Sequence, residues 1–203
     1  MTESLDASKR SVAVISSQAF ALINFRGTLI KTMSDEGLIV YALAPDFNDE
    51  IRSKLKTLGA IPVDYSLSRA GLNPVRDLLD ITRLVLILKK LSPDVAFASF
   101  IKPVIYGSIA AWIARIPSRY SMIEGLGYTF MDRGGNGSIY HTILRKTVSG
   151  LYRFALKLNR RVIFLNGEDV GQFLAGNLVA SDQVARIGHF GGPERIASVS
   201  PCI

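Results

Sequence analysis

Two observations predict an α/β fold built on a doubly wound, mostly parallel Rossmann-like sheet. Short β-branched apolar runs, such as Val12-Ala13-Val14-Ile15, alternate five or six times with longer segments whose apolar residues fall at helical spacing. Runs without polar alternation mark strands buried on both faces, and strand–helix alternation marks a parallel sheet with helices on both sides. The breaks between segments carry turn and cap residues: Gly37, Pro45-Asp46, Gly59, Asn73-Pro74 and Pro93.

The elements follow in order. After Val12–Ile15, a helix is expected from Phe20 to Glu36, with Leu22, Phe25, Leu29, Ile30 and Met33 as its stripe. Leu38–Leu43 is a second strand, and Asp49–Leu58 a helix capped by Asn48 or Asp49, with Gly59 just past its end. Ala60–Tyr65 is a third strand, and Pro62 places it at an edge, because proline cannot donate to a ladder. Pro74 and Asp77 favour a helix start, Leu78, Ile81, Leu84, Val85, Leu88 and Leu91 are its stripe, and Pro93 stops it. Asp94–Ala98 is a strand, Pro103–Arg115 a small-residue helix, Arg119–Ile123 a strand, and Ile139–Leu158 a long helix. Val162–Asn166 is a strand and Asp169–Ala175 begins another helix.

Composition narrows the class. The chain has 203 residues, 48% hydrophobic and 20% charged, which excludes a disordered chain and a collagen-like repeat. Cys202 is the lone cysteine, so no intramolecular disulfide forms, which fits a reducing cytoplasm. Lysine and arginine exceed the acids by +7, a balance suited to nucleic acid, anionic lipid or phosphorylated substrates. The aromatics are not interleaved with the basic residues as stacking platforms, so nucleic acid is not expected. Val12–Ile15 is too short for a signal-peptide core, and Lys102-Pro103 interrupts the one long apolar stretch, so neither a signal nor a membrane span is expected. His141 and His189 are isolated and no metal site is expected.

Ligands of such sheets bind at the carboxyl ends of the strands, which directs attention to the loops there. Ser16-Ser17 follows the first strand without a G-x-G-x-x-G fingerprint; the serines cap the helix or hold a phosphate or sugar hydroxyl. Arg69, in the polar stretch from Asp64 to Asn73, can grip a phosphate or carboxylate, or stand in water. Lys102 adds a cation beside a helix start that is already positive, a poor choice for stability and a reasonable one for an anion. Glu124-Gly125-Leu126-Gly127-Tyr128 pairs a carboxylate with glycines that admit close backbone approach. The basic residues Arg145, Lys146, Arg153 and Lys157 lie on a long amphipathic helix that either packs on the core or lies on anionic lipid.

Several segments then come together: Asn24-Phe25-Arg26-Gly27, Gly37 to Asp46, Arg69 to Pro74, Pro93-Asp94-Val95, Lys102 to Gly107, Gly125 to Phe130, and Phe164-Leu165-Asn166. In their order and spacing they resemble the N-terminal half of bacterial family 4 glycosyltransferases of the glycosyltransferase-B fold, of the capsule, O-antigen and lipid-linked glycan assembly type. The resemblance runs from about residue 11 to about residue 180 and dissolves after about Val184. It implies an acceptor-binding domain over residues 11–184, a divergent tail over 185–203, and a donor-binding domain absent from this chain, so that the enzyme is truncated, frameshifted or split. It implies transfer from a nucleotide-sugar, a UDP-sugar, to a saccharide on a polyprenyl diphosphate, without metal or cofactor, at the inner face of the plasma membrane. It places acceptor or substrate contacts at Ser17, Asn24, Arg26, Gly27, Arg69, Asn73, Lys102, Gly125, Gly127, Tyr128 and Asn166, and a candidate catalytic group at Glu124, where many relatives have histidine. The resemblance also implies an anionic membrane surface as partner, and a separate chain with the second domain as another. A non-catalytic Rossmann-like module and a nucleotide-sugar epimerase are the alternatives; an exposed apolar face would favour the transferase half over the module.

Overall fold

The structure is a computed structural model that describes residues 10–68, 74–125 and 139–186, with side chains in the last segment from residue 146 on. Among the described residues seven strands form one sheet, parallel throughout, in the order β3-β2-β1-β4-β5-β6-β7. Along the chain these are β1 (Ser11–Ile15), α1 (Ala19–Asn24), α2 (Gly27–Asp35), β2 (Ile39–Ala44), α3 (Asp49–Thr57) and β3 (Ala60–Asp64). Then follow α4 (Pro74–Leu91), β4 (Val95–Ser99), α5 (Ile101–Ile113), β5 (Ser118–Ile123), α6 (Ile139–Lys157), β6 (Arg161–Phe164), α7 (Gly167–Ala175) and β7 (Val184–Arg186).

The strands are apolar on both sides because each side meets a helical layer. Val12 and Val14 of β1 pack with Leu22, Ile30 and Leu55 of α1, α2 and α3. Ala13 and Ile15 point the other way, into a core shared with Leu84 and Leu88 of α4, Val104 of α5, Tyr152 of α6 and Phe173 of α7. That core has one polar inclusion. Asn159 donates to Ser108 (2.9 Å) and to the Ala155 carbonyl (2.9 Å), and accepts from Ser121 (3.2 Å), so every member of the cluster has a partner.

The expected elements are present, with four differences. The Phe20–Glu36 helix is two helices, broken at Phe25 and Arg26, where Arg26 has φ −123° and ψ −1°. Apolar periodicity runs straight through that break, so spacing alone does not register it. The helix expected from Pro103 begins at Ile101, which puts Lys102 inside its first turn. Three residues assigned above to apolar stripes are exposed: Leu78 of α4 at 64%, Phe25 at 61% and Leu29 at 40%. Strand β7 was not expected at all; its three residues pair with β6 and carry the sheet past residue 184 into the stretch read as a divergent tail.

Other expectations hold for visible physical reasons. β3 with Pro62 is the edge strand. Asn48 caps α3 by accepting from the Ile51 amide at 2.8 Å. Gly59 turns the chain into β3 at φ +82°, and a Cβ there would fall 1.9 Å from Ser34 Oγ, so no other residue fits.

Asp94 joins β1 to the start of β4. Its carboxylate accepts from the Ser11 backbone N–H at 2.7 Å and from the Ser11 hydroxyl at 3.1 Å. The Ser11 amide, chiefly, holds the Asp94 carboxyl below the usual aspartate range; burial opposes it, and the Ser11 hydroxyl, the Asp94 backbone N–H and Arg10 add to the lowering. A pKa lowered on folding stabilises the fold above the unfolded value, and that contribution is lost as pH falls through the folded value. Thermal unfolding should therefore show wild type more stable than Asp94→Ala at neutral pH, with the gap shrinking below the ordinary aspartate pKa. A gap that persists unchanged into acid would sink this account.

Candidate functional site

In the order β3-β2-β1-β4, the chain leaves β1 toward β2 on one side and β4 lies on the other, so a crevice opens at their carboxyl ends. Ser16 and Ser17 line it from β1, Ser99 and Phe100 from β4, and Glu124 and Gly125 from beyond β5. Alternation along the strands sends Ser16, Ser99 and Glu124 to the side of the sheet that carries α1 and α2. Arg26, at the corner between these two helices, closes that side.

Arg26 and Glu124 form an ion pair across the crevice, with side chains only 10% and 19% exposed. Arg26 Nη2 donates to Glu124 Oε1, and Nη1 donates to the Phe25 carbonyl at 2.9 Å. Burial lowers the pKa of the guanidinium from its usual value. Its Nε is buried with no hydrogen-bond partner, and so is Ser99 Oγ. Beside them Phe100 has φ +72° and ψ +155°, a conformation suited to glycine that turns the chain sharply from β4 into α5. Strain of this kind costs on the order of 1–3 kcal/mol and is found where a site needs it.

Several other polar groups around the crevice are engaged. The Ala19 amide at the start of α1 donates to Asp46 at 2.7 Å, so a carboxylate from the loop after β2 occupies the place proposed for a bound phosphate. Ser16 Oγ bonds within its own turn, to the Gln18 carbonyl at 3.0 Å, and its own carbonyl accepts from the Tyr65 hydroxyl at 2.8 Å. Tyr65 is held strongly toward its protonated form by burial first, then by Asp46 and Asp80. Lys102 donates to the Ser68 carbonyl at 2.6 Å and pairs with Asp77 at 3.2 Å, while Asp80 accepts from Ser66 and from the Ser68 amide. Lys102 thus ties the stretch before α4 to α5, and Asp77, read above as a helix-start charge, is turned inward to meet it.

Of the other expected contacts, Ser17 is half-buried at the crevice, and Asn24 is exposed, donating to the Phe20 carbonyl at 3.0 Å. Gly27 packs toward Leu58 rather than the crevice. Gly125 follows Glu124 at φ +146°, with nothing within 4 Å of where a Cβ would stand. Asn166 caps α7, accepting from the Asp169 amide at 2.8 Å. Arg69, Asn73, Gly127 and Tyr128 lie outside the described residues. On α6 the apolar residues Val148, Tyr152, Ala155 and Leu156 are buried. Arg153 donates to the Gly176 and Asn177 carbonyls at the end of α7, Lys146 and Lys157 are exposed, and the Arg145 side chain lies outside the described ones. No cluster of metal-ligating side chains occurs among the described residues, and none of their helices is long and apolar enough to cross a membrane. The sequence reading missed Asp46, Tyr65, Asp80, Ser99 and Phe100, none of which carries a local motif. An open depression of about 240 Å³ lies at the other, amino end of β2 and β3 and plays no part in the crevice.

This sheet and crevice define the class of the fold: a Rossmann-like domain of the glycosyltransferase-B type. It matches MurG of Acinetobacter baumannii with a TM-score of 0.56 at 13% identity, covering 93% of this chain and 47% of that one. It matches the UDP-GlcNAc 2-epimerase of Neisseria meningitidis, solved with UDP-GlcNAc, with a TM-score of 0.58 at 13% identity, covering 86% of this chain and 45% of that one. No family model matches the chain. In sequence it is similar to a transferase of Campylobacter jejuni, N,N'-diacetylbacillosaminyl-diphospho-undecaprenol alpha-1,3-N-acetylgalactosaminyltransferase, being 31% identical over 155 residues. The match takes in 76% of this chain and 40% of the relative, so the chain spans about two fifths of that protein's length.

The Lys102 tie generates a prediction. Lys102→Met should destabilise the fold by about 1–3 kcal/mol, because a buried Asp77 loses a charged partner. Pairing it with Asp77→Asn should recover part of the loss in a denaturant titration. If Lys102→Met is neutral, the lysine is not structural.

Proposed function

We propose that this chain is the acceptor-side half of a glycosyltransferase that moves a sugar from a nucleotide-sugar to a saccharide carried on a polyprenyl diphosphate, in surface-polysaccharide assembly. The observation that carries this reading is the sequence similarity to a transferase whose name specifies a diphospho-undecaprenol-linked acceptor. The fold supports it without deciding it, since epimerases share the fold. A second Rossmann-like domain supplies the donor site, on a longer polypeptide or on a separate chain. The likeness to a structure solved with UDP-GlcNAc supports a UDP-sugar as donor.

In this reading the acceptor enters beside α1 and α2. Phe20 and Phe25 stand there 58% and 61% exposed, stacked edge to face at 6.4 Å, the apolar exposure expected of a domain that works against a partner surface. The transfer forms a bond from an acceptor hydroxyl oxygen to the anomeric carbon and releases the nucleoside diphosphate. Glu124 can take the hydroxyl proton only once freed from Arg26.

The membrane contact we assign to α4 rather than α6. Among the described side chains of α6, Val148, Tyr152, Ala155 and Leu156 are buried and Phe154 is exposed, whereas α4 exposes four apolar residues, Val75, Leu78, Leu79 and Leu86, in addition to its buried stripe. Exposed Arg76, Arg83, Lys89 and Lys90 accompany them, and both carboxylates of the helix, Asp77 and Asp80, are buried. An apolar stripe flanked by cations, with its acids turned away, suits an anionic lipid surface. On this reading the chain works as a peripheral protein at the inner face of the plasma membrane.

Two measurements test the reading. Undecaprenyl-diphosphate-linked saccharide should bind the folded chain, and radiolabelled UDP-N-acetylgalactosamine should be turned over only when a second domain is supplied. A folded chain that ignores the lipid-linked saccharide overturns the proposal and leaves a non-catalytic module. Secondly, replacing Leu78 and Leu79 together by Glu should weaken binding to phosphatidylglycerol vesicles at least tenfold, since each buried leucine contributes about 1.5–3 kcal/mol. Their exposure means stability should change by less than about 0.5 kcal/mol per site. Loss of vesicle binding on replacing Lys146 and Lys157 instead would return the membrane face to α6.

A further inference from the structure

Arg26 is buried, charged and only partly satisfied. The side edge of a guanidinium presents Nε–H and one Nη2–H in parallel, a spacing that fits two oxygens of a phosphate or carboxylate. Here Glu124 engages that edge through Nη2 alone, and Nε is left buried without a partner. An unmade hydrogen bond on a buried charged group is costly, and a two-oxygen anion would remove the cost. Three further features point the same way. Ser99 Oγ, on the same face and at the same end of the sheet, is also buried and unpartnered. Helix α2, whose N-cap is Arg26, has no side-chain cap and no acid in its first turn, so the positive end of its dipole is offset by nothing on the helix itself. Arg26 is anchored from behind by the Phe25 carbonyl at 2.9 Å, whereas Glu124 stands at the mouth, hinged on a glycine whose surroundings are open.

We propose that the side edge of Arg26 is a binding site for a phosphate or diphosphate group, and that Glu124 is its built-in competitor, which the incoming anion displaces. This rests on the acceptor-side reading for its place in a reaction, but not for its chemistry. In the free chain Glu124 neutralises a buried cation that would otherwise stand alone. When a diphosphate arrives, two oxygens take Nε and Nη2, and Glu124 swings out on Gly125. Loading the site therefore releases a carboxylate at the end of β5, so the group at Glu124 becomes available only when the anion is seated. Glu124 thus acts as a gate.

The experiment uses the 203-residue chain and inorganic pyrophosphate, followed by titration calorimetry and by the Nε–H resonance of Arg26 in nitrogen-15 spectra. Glu124→Gln should bind pyrophosphate at least tenfold more tightly than wild type, and the Arg26 Nε–H resonance should move on binding. Because Arg26→Gln alone leaves Glu124 without its partner, the neutral double variant Arg26→Gln with Glu124→Gln serves as the control. It should fold and lose the binding. Affinity in Glu124→Gln within twofold of wild type overturns the proposal, as does a double variant that binds as tightly as Glu124→Gln. Repeating the titration with farnesyl diphosphate and with UDP separates the sources: the tighter probe identifies a prenyl or a nucleoside diphosphate. A gain in pyrophosphate affinity on Glu124→Gln with no binding of lipid-linked saccharide would retain this site and remove the acceptor-side reading.

Discussion

A parallel sheet that sends its chain from β1 toward β2 on one side, and later places β4 on the other, cannot close over the carboxyl end of β1. The loops leave in opposite directions, and the backbone between them has no strand to pair with. Every polar group there must find a partner from a distant part of the chain. Most do. Asp46 holds the start of α1, the Tyr65 hydroxyl holds the Ser16 carbonyl, and Lys102 with Asp77 and Asp80 holds the stretch before α4. Among the described residues two buried side-chain atoms do not, Arg26 Nε and Ser99 Oγ, and both lie on the crevice. The crevice is thus recognisable as a site less by the charges it contains than by the hydrogen bonds it leaves unmade.

The helical layers show how differently two amphipathic helices can be used. On the described part of α6 the apolar residues other than Phe154 mostly face the core, Lys146 and Lys157 face solvent, and Arg153 is spent on the end of α7. On α4 apolar residues lie on both the core side and the outer side. A globular helix needs one apolar face, so a second one asks for another surface. That signal is present in the sequence, where leucines and isoleucines in α4 exceed what a single stripe requires, but the stripe and its surplus cannot be separated until the core is known. Leu78 shows the difficulty: at helical spacing with Ile81 and Leu84 it reads as core, and it lies outside.

Shared architecture does not separate sugar transfer from epimerisation, because both chemistries use the same doubly wound domain. The proposal of transfer rests on sequence similarity to a transferase, not on the sheet. What the crevice adds is chemical: a buried guanidinium whose Nε lacks a partner suits a phosphorylated ligand under either chemistry, and the exposed Phe20–Phe25 pair beside it favours a domain that works against a second surface.

The amino-acid sequence alone determined the number and order of most strands and helices, the edge position of β3, the Asn48 cap and the glycine turn at Gly59. Each of these depends on residues within a turn or two of one another: an apolar run, a proline lacking its N–H, a capping amide, a positive φ. The break between α1 and α2, the inward turn of Asp77, the employment of Lys102 and the meeting of Arg26 with Glu124 were decided by tertiary structure. Arg26 and Glu124 are 98 residues apart, and Lys102 stands 34 from the Ser68 carbonyl it holds. The chain marks both ends of such pairs as charged or polar, but which end meets which depends on the sheet order, and only the folded sheet brings the ends of β1, β4 and β5 to one place.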